Sequence, residues 1–126
     1  MGIIPIIAHV ERYRSVQKNA NIVKEWIDLG YIIQINCASL IGDFGKEIKS
    51  ISEYLFRNGL VHILGSDAHN NKNRNFCLQN ALSIVERNFG EMQKNQIIQN
   101  LENLLSNEEL KTINLSKRKS IFDAIF

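Results

Sequence analysis

The sequence predicts an α/β protein in which parallel strands alternate with helices. Three short apolar runs, at residues 3–8, 31–35 and 60–65, are rich in β-branched residues and have the length of buried strands. Each run is followed by apolar residues at helical spacing, which is the element order of β-α units. Because the carboxyl ends of parallel strands share one edge of a sheet, reactive side chains that follow two of these runs predict where a functional site lies.

The first unit joins a strand to a helix through a polar loop. The strand over 3–8 leads into a loop that carries His9 and Arg12, and the next helix is predicted over 20–29, with Gly30 as its C-terminal stop. The apolar face of this helix is predicted to contain Ile22, Val23, Trp26, Ile27 and Leu29.

The second and third units follow the same order. A strand over 31–35 is followed by a short irregular turn through Ser39, Leu40 and Gly42, and then by a helix over 45–57. After the third strand come two further helices, predicted over 74–89 and 91–105, the latter with Ile97, Leu101, Leu104 and Leu105 facing inward.

Metal-ligand and phosphate-binding residue types stand at the ends of the first and third strands. Asp67 and His69 follow the third strand two residues apart, and His9 follows the first. A carboxylate beside imidazoles is a natural ligand set for a divalent metal. Arg12 and Arg74 each come within a few residues of these side chains, and arginine beside a metal favours a phosphate ligand.

Each of these residues also has a structural interpretation. A histidine at a strand end is commonly hydrogen-bonded and structural, and Asp67 has the position of a helix N-cap or an Asx-turn residue. Arg12 and Arg74 could each be solvated or paired with a nearby acidic residue, as most arginines are. The metal interpretation rests on the matching placement of both clusters after strand-like runs.

Several segments in fixed order make the sequence similar to a known family. They closely resemble the C-terminal half of the PHP-type (polymerase and histidinol phosphatase) bacterial protein-tyrosine phosphatases found with capsule and exopolysaccharide genes. The resemblance covers nearly the whole chain and rests on Ala8-His9-Val10-Glu11-Arg12-Tyr13, Gln34-Ile35-Asn36-Cys37-Ala38-Ser39-Leu40, Gly42-Asp43-Phe44-Gly45, Ser66-Asp67-Ala68-His69-Asn70 and Arg74.

The resemblance implies a fold and a set of site residues. The fold is the C-terminal half of a distorted, TIM-like (β/α) barrel. His9, Asp67 and His69 correspond to metal ligands, and Arg12 and Arg74 to catalytic, phosphate-binding arginines. The implied cofactor is a divalent metal, with manganese first and iron, zinc or magnesium as alternatives.

The implied reaction is the hydrolysis of phosphotyrosine in proteins by metal-activated water, linked to the regulation of capsule or exopolysaccharide synthesis. The implied substrate is a phosphotyrosine protein such as a bacterial tyrosine autokinase. Two alternatives stay open: a PHP-fold enzyme acting on a small phosphomonoester such as histidinol phosphate, and a non-catalytic, truncated binding module. A panel of substrates distinguishes the protein-tyrosine phosphatase from the enzyme that acts on a small phosphomonoester.

The sequence departs from the family at its first motif. Such proteins begin with His-x-His, whereas the three histidines here are His9, His62 and His69 and form no such pair. His62 lies within the third apolar run and is predicted to pack against a helix. We therefore expect a partial phosphatase domain over 1–106, weak or inactive alone, and a C-terminal tail over 107–126. The tail is expected to be either a frayed or packed terminal helix, or a weak docking segment for a partner or a membrane surface. Open sheet edges on a half barrel predict a homo-oligomer.

Composition narrows the functional classes. The chain has 126 residues, 44% of them hydrophobic and 22% charged, which is ordinary for one globular domain. A net charge of +2 does not support nucleic-acid binding, and no apolar stretch is long enough for a transmembrane segment or shaped like a signal peptide. Cys37 and Cys77 form no Cys-x-x-Cys pair, and the sequence predicts a reducing cytoplasm. Neither is followed by five residues and an arginine, which excludes a cysteine-based phosphatase.

Overall fold

The structure of the chain is a computed structural model that describes residues 5–66, 71–106 and 112. Of residues 71–76 it describes the backbone alone. Within these ranges the chain folds as strands and helices in alternation, which confirms the predicted α/β class.

A three-stranded parallel sheet organises the fold. The strands are β1 (Ile6–Ile7), β2 (Ile32–Asn36) and β3 (Ile63–Gly65), in the spatial order β1-β2-β3. Ile7 of β1 lies opposite Ile33 of β2, and Asn36, the last residue of β2, lies opposite Gly65, the last of β3. The carboxyl ends of β2 and β3 are therefore level with each other at one edge of the sheet.

Helices connect the strands and cover the sheet. The described helices are α1 (Arg14–Lys18), α2 (Ile22–Asp28), α3 (Cys37–Ile41), α4 (Lys46–Arg57), α5 (Asn71–Phe89) and α6 (Glu91–Leu105), and a 3₁₀ turn spans Val10–Arg12. None of the helices in the described ranges is both long enough and apolar enough to cross a membrane.

The core lies where the helices pack on β2 and β3. Ile33 and Ile35, which alternate along β2 and so share one face, are fully buried. Phe56 of α4 stacks on Phe89 of α5 with ring centroids 5.4 Å apart, which ties these two helices together. Apolar residues from the helices complete the cluster, among them Val16, Val23, Leu40, Leu55, Ala81, Val85 and Ile97.

Most of the predicted elements are confirmed, and the differences have local causes. The segment through Ser39 and Leu40, predicted as an irregular turn, is the helix α3; its first turn is capped by Asn36, whose side-chain oxygen accepts from the N–H of Ala38 at 2.9 Å. The helix ends at Gly42, whose φ of 111° suits glycine. The loop after the first strand is also more ordered than predicted, because the 3₁₀ turn and α1 occupy it.

Three apolar residues do not face the core as predicted. Leu29 is 67% exposed, because α2 ends one residue earlier, at Asp28. Leu104 and Leu105 are also exposed. They form the last residues of α6, beyond Leu101, the last residue of this helix that packs against the core.

Candidate active site at the carboxyl end of the sheet

His9 begins a tight turn directly after β1. Its backbone is left-handed, with φ 55° and ψ 38°, and no other described non-glycine residue has a positive φ. The N–H of Arg12 donates to the carbonyl of His9 at 2.9 Å and closes the turn. A non-glycine residue in this conformation costs about 1 kcal/mol or more, and such strain is concentrated at functional sites.

The His9 imidazole has a buried nitrogen without a partner. No hydrogen bond reaches Nδ1 from any described residue, although this atom is shielded from solvent. A buried polar atom is normally hydrogen-bonded, so an unpaired one calls for an explanation. An imidazole nitrogen with a free lone pair is what a divalent metal requires, and His9 therefore fits the predicted role as a ligand.

Glu11, in the middle of the same turn, is fully buried. Its two carboxylate oxygens accept from the backbone N–H of Asn36 at 3.1 and 3.4 Å. Burial raises the pKa of the carboxyl, while the Ser39 hydroxyl, the N–H of Asn36 and nearby His9 act in the opposite direction. The Ser39 oxygen forms no hydrogen bond of good geometry with any described residue, so its effect on Glu11 is that of a nearby dipole. Glu11 thus joins the turn to the end of β2.

The guanidinium of Arg12 lies over an aromatic ring. Its Cζ is 4.6 Å from the ring centroid of Phe44, within the range of a cation–π contact. Phe44 belongs to the loop between α3 and α4, and the glycines near it, Gly42 and Gly45, have φ values of 111° and 100°. Arg12 is exposed, so its N–H groups remain accessible to an anion while the ring supports the plane of the guanidinium.

The other predicted site residues are only partly covered. Asp67 and His69 lie outside the described residues, and of Arg74 only the backbone is described, in the first turns of α5. No group of three or more His, Cys, Asp or Glu side chains that could bind a metal occurs in the described part of the chain. The chain reaches Asp67 two residues after Gly65, whose register partner is Asn36, the residue that Glu11 contacts.

Cys37 has no role as a nucleophile in this structure. It is buried at the start of α3, and burial, reinforced by the neighbouring Cys77 thiol, raises its pKa to about 12. Such a thiol is protonated at neutral pH. This agrees with the exclusion of a cysteine-based mechanism.

His62 is a core residue, as predicted. Its Nδ1 accepts from the N–H of Ile33 at 3.0 Å, and Asn100 of α6 donates to its carbonyl at 2.7 Å. Burial lowers the pKa of the imidazole to about 4. The contact with α6 and the hydrogen-bonded Nδ1 distinguish it from His9, whose Nδ1 has no partner among the described residues.

Residue patterns alone did not single out Glu11. It lies between His9 and Arg12 in one of the segments that carry the family resemblance, but no spacing argument assigned it a task. Its burial depends on a contact with Asn36, 25 residues away in the chain. The only local indication of its burial was its place in the sequence, directly after the apolar residue Val10 in the loop that follows the first strand.

Comparison with known proteins identifies the family. A model of the family described as "Capsular polysaccharide synthesis, CpsB/CapC" matches residues 1–106. The chain belongs to the CpsB/CapC family. This confirms the resemblance to capsular phosphatases drawn from the sequence motifs.

Several CpsB/CapC relatives are tyrosine-protein phosphatases. The chain is 40% identical to YwqE of Bacillus subtilis over 109 residues, which is 86% of this chain and 43% of YwqE. It is 37% identical to CpsB of Streptococcus agalactiae serotype III over 113 residues, or 85% of this chain and 46% of CpsB. The chain also resembles a solved structure from crystallographic work on YwqE of Bacillus subtilis and CpsB of Streptococcus pneumoniae, which are described as metal-dependent tyrosine phosphatases. The TM-score is 0.80 and the sequence identity 39%, and the match covers 89% of this chain and 45% of the solved chain. The chain thus spans less than half the length of these relatives.

Proposed function

We propose that this CpsB/CapC chain contributes part of the active site of a metal-dependent protein-tyrosine phosphatase. The observation that carries the proposal is His9, a strained residue at the end of β1 with a buried, unpartnered imidazole nitrogen. Arg12, three residues later, offers an exposed guanidinium for phosphate. Relatives described as metal-dependent tyrosine phosphatases support the same reaction.

His9, Asp67 and His69 would hold the divalent metal. Histidine nitrogen and carboxylate oxygen together suit manganese, which we propose as the ion, with iron, zinc or magnesium as alternatives. Lewis-acid activation of water and stabilisation of charge on the phosphoryl group are what a bound metal supplies.

The arginines would bind and orient the phosphate. Arg12 and Arg74 have planar guanidinium groups that bind phosphate oxygens through paired, charge-assisted hydrogen bonds. Phe44, under the Arg12 guanidinium, would restrict its rotation and keep its donors turned towards the anion. Holding the ester in this way supplies part of the catalysis, because correct orientation lowers the entropy cost of the reaction.

We further propose how the chain is organised around this site. Residues 1–106 would form the C-terminal half of a PHP-type (β/α) barrel, and residues 107–126 a tail outside it. The three parallel strands support this arrangement. The exposed edges of such a partial sheet favour self-association, and light scattering that shows only monomers of a folded chain would contradict this point. A cytoplasmic location and a tyrosine autokinase as substrate stay predictions.

The test is the metal-dependent release of phosphate from phosphotyrosine peptides. We compare the 126-residue chain with a longer protein that also carries the family's His-x-His half, at equal concentration, with Mn²⁺ and with a chelator. The longer protein is expected to be active. The short chain is expected to hydrolyse the peptides poorly or not at all, because without the ligands of the His-x-His half most of the transition-state stabilisation is lost. Each factor of ten in rate corresponds to about 1.4 kcal/mol of that stabilisation.

Variants of the longer protein assign the residues. Asp67→Ala, His69→Ala and Arg74→Lys should each remove most of the activity, and Arg12→Lys should reduce it, because lysine provides neither the paired donors nor the flat face over the ring. Arg57→Lys is the matched control, since Arg57 is an exposed residue on α4, paired with Glu53 at 3.7 Å. Inactivity of the longer protein on phosphotyrosine, with activity on a small phosphomonoester, would overturn the substrate assignment. Chelator-sensitive turnover by the short chain would show that it assembles a complete site by itself.

A further inference from the structure

Glu11 is a buried acid that neither the proposed ligand set nor the phosphate site uses. Its side chain is fully buried, and no ion pair with lysine or arginine reaches it within the described part of the chain. Removing a carboxylate from water is costly unless hydrogen bonds compensate it. The hydrogen bonds that Glu11 does form therefore indicate its role in the structure.

Its partner, the N–H of Asn36, lies on the side of β2 that faces β1. The N–H of Ile32 donates to the carbonyl of Pro5 at 2.9 Å, and N–H groups two residues apart along a strand point the same way, so the N–H of Asn36 has the same direction. The pairing of β1 with β2 extends only to Ile7 and Ile33. Glu11 thus supplies the acceptor that a longer first strand would have provided.

This contact anchors the turn that carries His9. The turn is strained at His9, and its backbone closures, from the Arg12 N–H to the His9 carbonyl at 2.9 Å and from the Tyr13 N–H to the Val10 carbonyl at 3.1 Å, both lie within the turn itself. No described residue fixes the imidazole through Nδ1. The position of the ring consequently depends on the backbone of the turn, and the backbone is fastened to β2 through Glu11.

We infer that Glu11 is a positioning residue: by accepting from the Asn36 N–H, it holds the His9–Arg12 turn in the geometry with which His9 binds a divalent metal. This inference rests on the proposed metal site. The required property is the reach of the side chain and its acceptor oxygen. Glutamine keeps both properties, so the Glu11→Gln variant should still hold the turn in place. Aspartate is one methylene shorter, so the Glu11→Asp variant should not.

The experiment uses the 126-residue chain and Co²⁺ as the probe, followed by its visible absorption. We compare Glu11→Ala, Glu11→Asp and Glu11→Gln with the unaltered chain, and Glu25→Ala, at an exposed acid on α2, is the control. Replacing residues that orient metal ligands lowers metal affinity by about 10–100-fold. We expect that loss for the alanine and aspartate variants, and affinity close to the original for the glutamine and control variants.

A second readout tests the anchor without metal. Hydrogen exchange of the Asn36 amide should be faster in Glu11→Ala and Glu11→Asp, and near the original rate in Glu11→Gln. If Glu11→Ala does not fold, the aspartate and glutamine variants still give opposite expectations. Circular dichroism verifies that each variant is folded during titration, which separates positioning from stability.

Each result has a definite meaning. A folded Glu11→Asp variant that binds Co²⁺ as tightly as the unaltered chain overturns the inference. So does a Glu11→Gln variant that binds Co²⁺ weakly while Glu11→Asp binds it tightly, because the charge of residue 11 would then be the property that matters. A Co²⁺ spectrum that His9→Ala leaves unchanged instead removes the proposed metal site, and the inference with it. The Asn36 amide would still report whether the anchor exists.

Discussion

The buried imidazole of His62 should make the stability of this protein depend on pH. Burial lowers the pKa of His62 to about 4, against 6.5 for an exposed histidine. Between these values the unfolded chain binds a proton that the folded chain does not. The contribution of His62 is therefore fully present above about pH 6.5 and is lost as the pH falls towards about 4.

The structure sets the magnitude. The difference between 6.5 and about 4 is about 2.5, which corresponds to about 3 kcal/mol over the whole range. Between pH 7.5 and pH 5 the loss is about 2 kcal/mol. Glu11 acts with the opposite sign, because its raised pKa makes stability fall as the pH rises above 4.5. The pH curve of the unaltered chain alone consequently does not isolate His62.

The substitution His62→Gln isolates it. The glutamine oxygen still offers an acceptor to the Ile33 N–H, but the side chain does not titrate. Urea denaturation, followed by far-UV circular dichroism, gives the free energy of unfolding at each pH. The loss between pH 7.5 and pH 5 should be about 2 kcal/mol smaller in the variant.

His9→Gln is the matched control, because it removes a histidine outside the core. It should retain the pH dependence that His62 causes. Equal pH dependence in the unaltered chain and in His62→Gln would refute the reasoning, since it would mean that His62 titrates alike in the folded and unfolded states.

Three further outcomes are expected. Maleimide should label Cys77, which is half-buried, before Cys37, whose pKa of about 12 keeps it protonated; mass spectrometry of peptides from the native chain measures the order, and faster labelling of Cys37 would contradict it. Gly65→Ala would place a Cβ against the amide end of the half-buried Gln34 side chain, which can rotate aside, so its unfolding free energy should fall by no more than about 1 kcal/mol, and should recover when Gln34→Ala is added. Asn100→Leu should lower the unfolding free energy by about 1–3 kcal/mol, because it leaves the buried carbonyl before β3 unpaired; a loss well below this in urea denaturation would show that the carbonyl finds another donor.

Periodicity predicted the long elements well and the short ones poorly. The helix expected over 45–57 is α4 (Lys46–Arg57), and the one expected over 91–105 has the same bounds as α6. Over three or more turns, apolar spacing is unambiguous. The helix α3, with five residues, is too short to show a period, and it forms because the Asn36 side chain caps it.

The candidate site likewise has features that the sequence predicted and features that it did not. The chemistry of His9 and Arg12 followed from residue type and from their place after an apolar run. The left-handed backbone of His9 and its unpaired nitrogen did not, since they depend on how the turn packs. The ring under Arg12 comes from Phe44, 32 positions further along the chain, and no local pattern predicts that contact.

By itself the sequence determined the α/β class, the long helices, the family and the types of ligand, because these depend on local propensity, apolar period and ordered motifs. Only the tertiary structure decided which acid is buried and which histidine is left with a free nitrogen. Glu11 is held by a backbone N–H 25 residues away, and His62 accepts from Ile33 on the neighbouring strand. Such contacts are formed when distant segments pack together, and the cost of leaving water is compensated only there.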